Sequence, residues 1–154
     1  MINDPALEAI ANTKQDKIVV AGLIRKSNRI LASISTHKFP FDLFPDTINV
    51  EEGRVNVIIR NFIFSSQVYS VDLKNISNVL INTSPFFAQI VIVSKTFAEN
   101  EIRINNLWIK QAIYVRRLIE GLRVLSSNQI DTSVYSKRDL IGKLEELSST
   151  NIVI

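Results

Sequence analysis

Ser35-Thr-His-Lys38 sets a hydroxyl three residues before an amine, the spacing by which serine acylases activate a nucleophile. The Ser-Asp-Asn and Lys-Thr-Gly motifs that accompany it in such enzymes are absent. His37 is the only histidine, and no acid or nucleophile is specified beside it, so it reads as a surface or capping residue. Asp42 with Asp46, and Glu99 with Glu101, are candidate carboxylate pairs, but neither fits a calcium loop or another metal motif. With no cysteine and four glycines, the chain offers no thiolate chemistry, no cysteine zinc site and little material for a phosphate-binding loop. These residues predict no enzymatic activity, no metal and no cofactor.

Charge is the stronger signal. The 154 residues carry a net charge of only +3. Yet Lys17, Arg25, Lys26, Arg29 and Lys38 follow one another with no acid between them. Positions 20, 23, 24, 27, 30, 31 and 34 share a face at helical spacing, and all but Ser27 are apolar. The spacing therefore predicts a basic amphipathic helix over about 17–35. Such a helix could dock on the body of the protein, form a homo-oligomer seam, or lie on an anionic membrane with Leu23, Ile24, Ile30, Leu31 and Ile34 buried. Arg116-Arg117 is a second candidate contact for an anionic surface. Nucleic acid is disfavoured, because aromatic residues are not interleaved with the basic ones. The apolar run Ile18–Ile24 is too short to cross a bilayer, and no export signal is legible, which predicts a cytoplasmic protein, at most peripheral on the membrane's inner face.

The elements that must position these residues follow from periodicity. Asp4-Pro5 opens a short helix over 5–14. The prolines of Phe39-Pro-Phe-Asp-Leu-Phe-Pro45 make it an extended apolar strap. From Thr47 the period falls to two, predicting strands at Thr47–Val50, Arg54–Phe64, Gln67–Leu73, Ile76–Asn82, Phe86–Lys95 and Glu101–Leu107. It then returns to 3.6. Trp108, Ala112, Val115, Ile119, Leu122 and Leu125 form the buried stripe of a helix over 108–126, with Trp108 expected to bury against Phe86-Phe87. Ser136-Lys-Arg-Asp139 opens a last short helix. The organisation predicted is a helical extension over 1–36, a central domain over 37–127, and a linker with a short helix over 128–154.

Six short antiparallel strands closed by an amphipathic helix resemble the pleckstrin-homology-like barrel. Arg54–Leu73 and the Ile76-Ser-Asn-Val79 step are similar to the strands of bacterial members. His37–Asp46, Ser84-Pro-Phe-Phe-Ala88 and Arg116–Leu122 resemble an uncharacterised family of small bacterial proteins with this layout. The resemblance covers about residues 37–126. It implies an α+β fold with a bent antiparallel sheet or barrel, and a binding or scaffold role rather than catalysis. The partner would be an anionic lipid surface or another protein, the latter through an exposed strand edge such as Ile76–Leu80. Lipid-binding relatives resemble one another in a basic first hairpin loop. Here Glu51-Glu52-Gly53 stands at the predicted first hairpin, which argues against the usual phosphoinositide pocket.

Overall fold

The computed structural model describes residues 5–27, 29–37, 43–62, 65–96 and 100–149; the side chains of 5–9, 11, 23–27, 62 and 149 lie outside that description. The elements are α1 (Pro5–Ser27), β1 (Ile30–Ser35), β2 (Thr47–Glu51), β3 (Arg54–Phe62), β4 (Ser65–Asp72), β5 (Ile76–Thr83), β6 (Phe87–Ser94), β7 (Glu101–Trp108), α2 (Ile109–Ser127) and α3 (Lys137–Ser149). Short 3-10 turns at Leu73–Asn75 and Thr132–Val134 join β4 to β5 and α2 to α3. The strands form two antiparallel sheets, β1-β2-β3-β4 and β5-β6-β7. The fold is α+β as expected, but the strands do not close into a barrel.

Register explains the core. Ile48 faces Val57, Val50 faces Val55, and Val55 faces Val71, so one face of the first sheet is a ladder of β-branched pairs. In the second sheet Val79 faces Ile92, Ile90 faces Ile104, and Ile92 faces Ile102. Ala112, Val115, Ile119 and Leu122 of α2, four of the six residues of the expected stripe, are buried in the core together with Leu118, which the expected stripe did not include. Bulges at Ile30/Ala32, Arg60/Phe62, Ile76/Asn78 and Ala88/Ile90 bend the strands. Beside the last of these, Asn106 adopts a φ of 58°, which asparagine tolerates better than most residues, and its carbonyl accepts a 2.8 Å hydrogen bond from the His37 N–H. That bond ties the end of β1 to the second sheet.

The predicted helix over 17–35 is not one element. Helix α1 runs through the first part and ends at Ser27, absorbing the short helix expected at 5–14, and Ile30–Ser35 is strand β1. The bulge between Ile30 and Ala32 is the reason for the error. It buries the neighbours Leu31 and Ala32 together and then Ile34, so a strand's alternation imitates helical spacing. The extra strand also renumbers the hairpins. Glu51-Glu52-Gly53 joins β2 to β3, and the first hairpin connection is the segment from 36 to 46. Of the strap, residues 38–42 lie outside the described residues. Its return is held by polar bonds: Asp46 N–H to Thr36 Oγ1 at 2.9 Å, Arg60 N–H to Asp46 Oδ1 at 2.8 Å, and Arg60 Nη1 to the Pro45 carbonyl at 2.6 Å. Asp46 is thus a structural acceptor, and Asp42, its partner in the candidate carboxylate pair, lies outside the described residues.

Both glutamates of the β2–β3 hairpin are structural as well. The Glu51 carboxylate accepts from Asn56 Nδ2 at 2.7 Å. Glu52, whose side chain is fully buried, pairs with Arg29, the residue just before β1. Arg29 also donates to the Tyr135 carbonyl at 2.8 Å and the Thr132 carbonyl at 3.3 Å, while the Thr132 hydroxyl donates to Glu52 at 2.9 Å.

Helix α3 folds back on α2. Ser136 caps it, accepting from the Asp139 N–H at 3.2 Å and donating to its carboxylate at 2.5 Å, as the sequence signature predicts. Leu140 and Leu144 are fully buried. The crossing is close because residue 121 is glycine. A Cβ there would stand 3.0 Å from both the Leu144 Cδ2 and the Leu144 carbonyl oxygen. Gly121→Ala should therefore cost about 1–3 kcal/mol, since backbone cannot give way as a side chain can. Gly142→Ala, where the added methyl meets nothing within 4 Å, should be neutral or stabilising by up to about 1 kcal/mol. Urea unfolding of the two variants checks this; equal stability would contradict the close crossing.

Candidate binding groove

Of the seven cations expected to meet an anionic surface, the side chains of four are described: Lys17, Arg29, Arg116 and Arg117. Lys17 is exposed on α1, and Arg25 and Lys26 lie on the same helix with side chains outside the described residues. Lys38 lies outside the described residues. Arg29 is engaged by Glu52 and two carbonyls. Ile30, Leu31 and Ile34, the apolar half of the predicted interfacial face, belong to β1, and Leu31 and Ile34 are in the core. Arg116 and Arg117 line one groove.

Those two arginines border a groove of about 330 Å³ between β5, α2 and α3. Its apolar walls are Ile81 of β5, Ile113 and Val124 of α2, and Leu147 of α3. Strand β5 ends its sheet, so its outer edge has no strand neighbour among the described residues. The groove's own acid is neutralised: Arg123 Nη1 binds both carboxylate oxygens of Glu120, at 2.9 and 2.8 Å. Arg123 also donates to the Ser77 carbonyl at 2.9 Å, clamping α2 to β5. Arg116 and Arg117 have no such partner among the described residues, and the Nε of Arg117 is buried without a hydrogen bond. Burial, reinforced by the Glu145 carboxylate, raises the Tyr114 phenol above its ordinary value and keeps it neutral.

The sequence pointed to Arg116-Arg117 as a pair but not to the groove. Its third wall depends on α3 folding back, and only the steric meaning of Gly121 signalled that. Ser35 Oγ lies 3.4 Å from the Thr47 hydroxyl, and Glu101 pairs with Arg103; Asp42 and Glu99 lie outside the described residues. No group of three or more histidine, aspartate or glutamate side chains that could hold a metal occurs among the described residues.

Trp108 is where expected in sequence but not in burial. It ends β7 opposite Phe87 and caps α2, with its ring 5.1 Å from that of Phe87 and 5.4 Å from that of His37. The side chain is 46% exposed, because the buried stripe of α2 begins at Ala112 and the indole lies over the outer face of the sheet end. Trp108→Ala should accordingly cost about 0.5–1.5 kcal/mol, the scale of an aromatic pair. Leu118→Ala in the core should cost about 2–5 kcal/mol. Acrylamide should quench the single tryptophan readily; a shielded, blue-shifted emission would contradict this placement.

No helix among the described residues is long and apolar enough to cross a membrane. No protein-family model matches the chain, and no curated protein matches it.

Proposed function

We propose that the chain is a non-catalytic binding module with a pleckstrin-homology-like fold, and that it grips an extended, acidic segment of a partner protein in the groove between β5 and α2. Successive antiparallel hairpins in two sheets, closed by a C-terminal amphipathic helix, support the fold reading. One observation carries the functional reading: β5, the edge strand of its sheet, runs beside a groove with apolar walls that is bordered by two arginines with no ion-pair partner among the described residues. An added strand gains backbone hydrogen bonds along β5, and its alternate side chains enter the groove. The guanidinium fork suits a carboxylate, which it can bind through two parallel bonds.

A lipid surface is the weaker reading. It rested on a continuous helix whose apolar face included Leu31 and Ile34, and these side chains are packed in the core. Three of the five cations from Lys17 to Lys38 still lie on α1, but Arg29 is committed to Glu52.

Selection from a random peptide library on the immobilised protein tests the proposal. The enriched peptides should combine alternating β-branched residues with aspartate or glutamate. Arg116→Glu with Arg117→Glu should weaken them at least tenfold, since a hydrogen bond to a charged group contributes about 1.5–3 kcal/mol. Unchanged affinity in that variant would contradict the groove. Sedimentation with anionic vesicles, lost at high salt and unaccompanied by any peptide selection, would replace this reading with the lipid one.

A further inference from the structure

We propose that the β4 edge of the first sheet is a seam between two copies of this chain, paired antiparallel about a two-fold axis at Val68. Four strands end a sheet among the described residues: β1, β4, β5 and β7. An open edge presents a row of backbone donors and acceptors, and proteins ordinarily blunt it with charge, proline, a bulge or short length. Three of these edges are blunted. Strand β1 is six residues long and bulged between Ile30 and Ala32. Strand β5 is bulged between Ile76 and Asn78 and engaged by Arg123 at the Ser77 carbonyl, so its later part, beside the groove, is what remains to a partner. Strand β7 carries the ion pair of Glu101 with Arg103. Strand β4 has none of these devices. It is eight residues long and pairs with β3 without interruption from Ser66 to Asp72. From Ser65 to Val71 it contains no charge, proline or glycine.

What β4 offers fits its own copy. A two-fold axis perpendicular to an antiparallel seam passes through a pair of identical residues, and Val68 is the midpoint of Ser65–Val71. Ser66 then stands opposite the partner's Ser70, two hydroxyls able to bond each other, and Gln67 stands opposite the partner's Tyr69. Within the chain the Tyr69 hydroxyl donates to Gln67 Oε1 at 3.1 Å, so the axis doubles that pair. Val68 meets the partner's Val68. It is 64% exposed, and its neighbour in β3 is the half-buried Ile58. The axis joins two such Ile58–Val68 pairs into one apolar strip across a continuous sheet. Over the paired positions neither copy brings a charge, so association meets no local repulsion although each chain carries +3 overall. An isologous seam is also closed, which stops pairing at two copies instead of letting it grow into fibres. No residue of the seam lines the groove, so this assembly is independent of the reading above.

Sedimentation of the full chain, unaltered and as Val68→Lys or Val68→Glu, tests the proposal. The unaltered chain should dimerise in a concentration-dependent equilibrium. Each variant sets like charges opposite each other on the axis and should weaken the dimer at least about tenfold. An equimolar mixture of the two variants should restore it as a heterodimer, because opposite charges then meet, and that result also shows both variants folded. Arg116→Glu with Arg117→Glu should leave the dimer intact. An unaltered chain that stays monomeric to millimolar concentration would overturn the proposal. So would a dimer that both Val68 variants retain, monomeric variants whose mixture stays monomeric, a dimer lost in the arginine variant, or association that continues past two copies.

Discussion

The fold depends on one buried charge. Glu52 sits at the β2–β3 hairpin with its side chain removed from water, and a carboxylate there costs several kcal/mol unless it is met. Arg29 and Thr132 meet it, and they arrive from opposite ends of the chain. Arg29 then turns its remaining donors to the carbonyls of Thr132 and Tyr135. A single cluster therefore fixes where α1 gives way to β1, where the first sheet's second hairpin points, and where the segment between α2 and α3 runs. It is a constraint of position more than a source of stability. Well-packed apolar residues could match the pair in energy, but removing one partner would strand the other.

From that fixed segment the rest of the site follows. The chain leaves the 3-10 turn at Thr132–Val134, is capped by Ser136, and enters α3 at a set angle. Gly121 then lets α3 approach α2 at backbone distance, and Leu140 and Leu144 seal the contact. Because α3 lies there, Leu147 becomes the third wall of a groove that β5 and α2 alone would leave as a shallow ledge. Arg123 holds the opposite side by joining α2 to the Ser77 carbonyl and cancelling Glu120. The two arginines left over are those the groove can offer to a partner.

Regular elements were legible in the sequence where one physical signal acted alone. The β-branched alternation of β3, β5, β6 and β7, the stripe of α2 and the Ser136 cap of α3 each follow from local pattern. Strand β1 was misread because a bulge changed its period. Trp108 was placed against the right strand and given the wrong burial, because a tryptophan at the start of an apolar stripe does not say which side of the helix entry it takes. The meaning of Glu52 was the least legible. An acid in a hairpin loop ordinarily reads as solvated, and its partners lie 23 and 80 residues away, separations over which no local pattern carries information. The same limit applied to the basic cluster: Arg29 sat among cations in sequence and is half-buried against Glu52 in space.

The measurement that bears most directly on this account is a double-mutant cycle on Arg29→Met and Glu52→Gln, followed by urea unfolding. Each single variant should lose about 3–5 kcal/mol, because each leaves a buried polar group without its counterpart. The double variant should lose far less than the sum, with a coupling of about 2–3 kcal/mol. Small, additive losses below about 1 kcal/mol, the behaviour of a solvated surface pair, would contradict it.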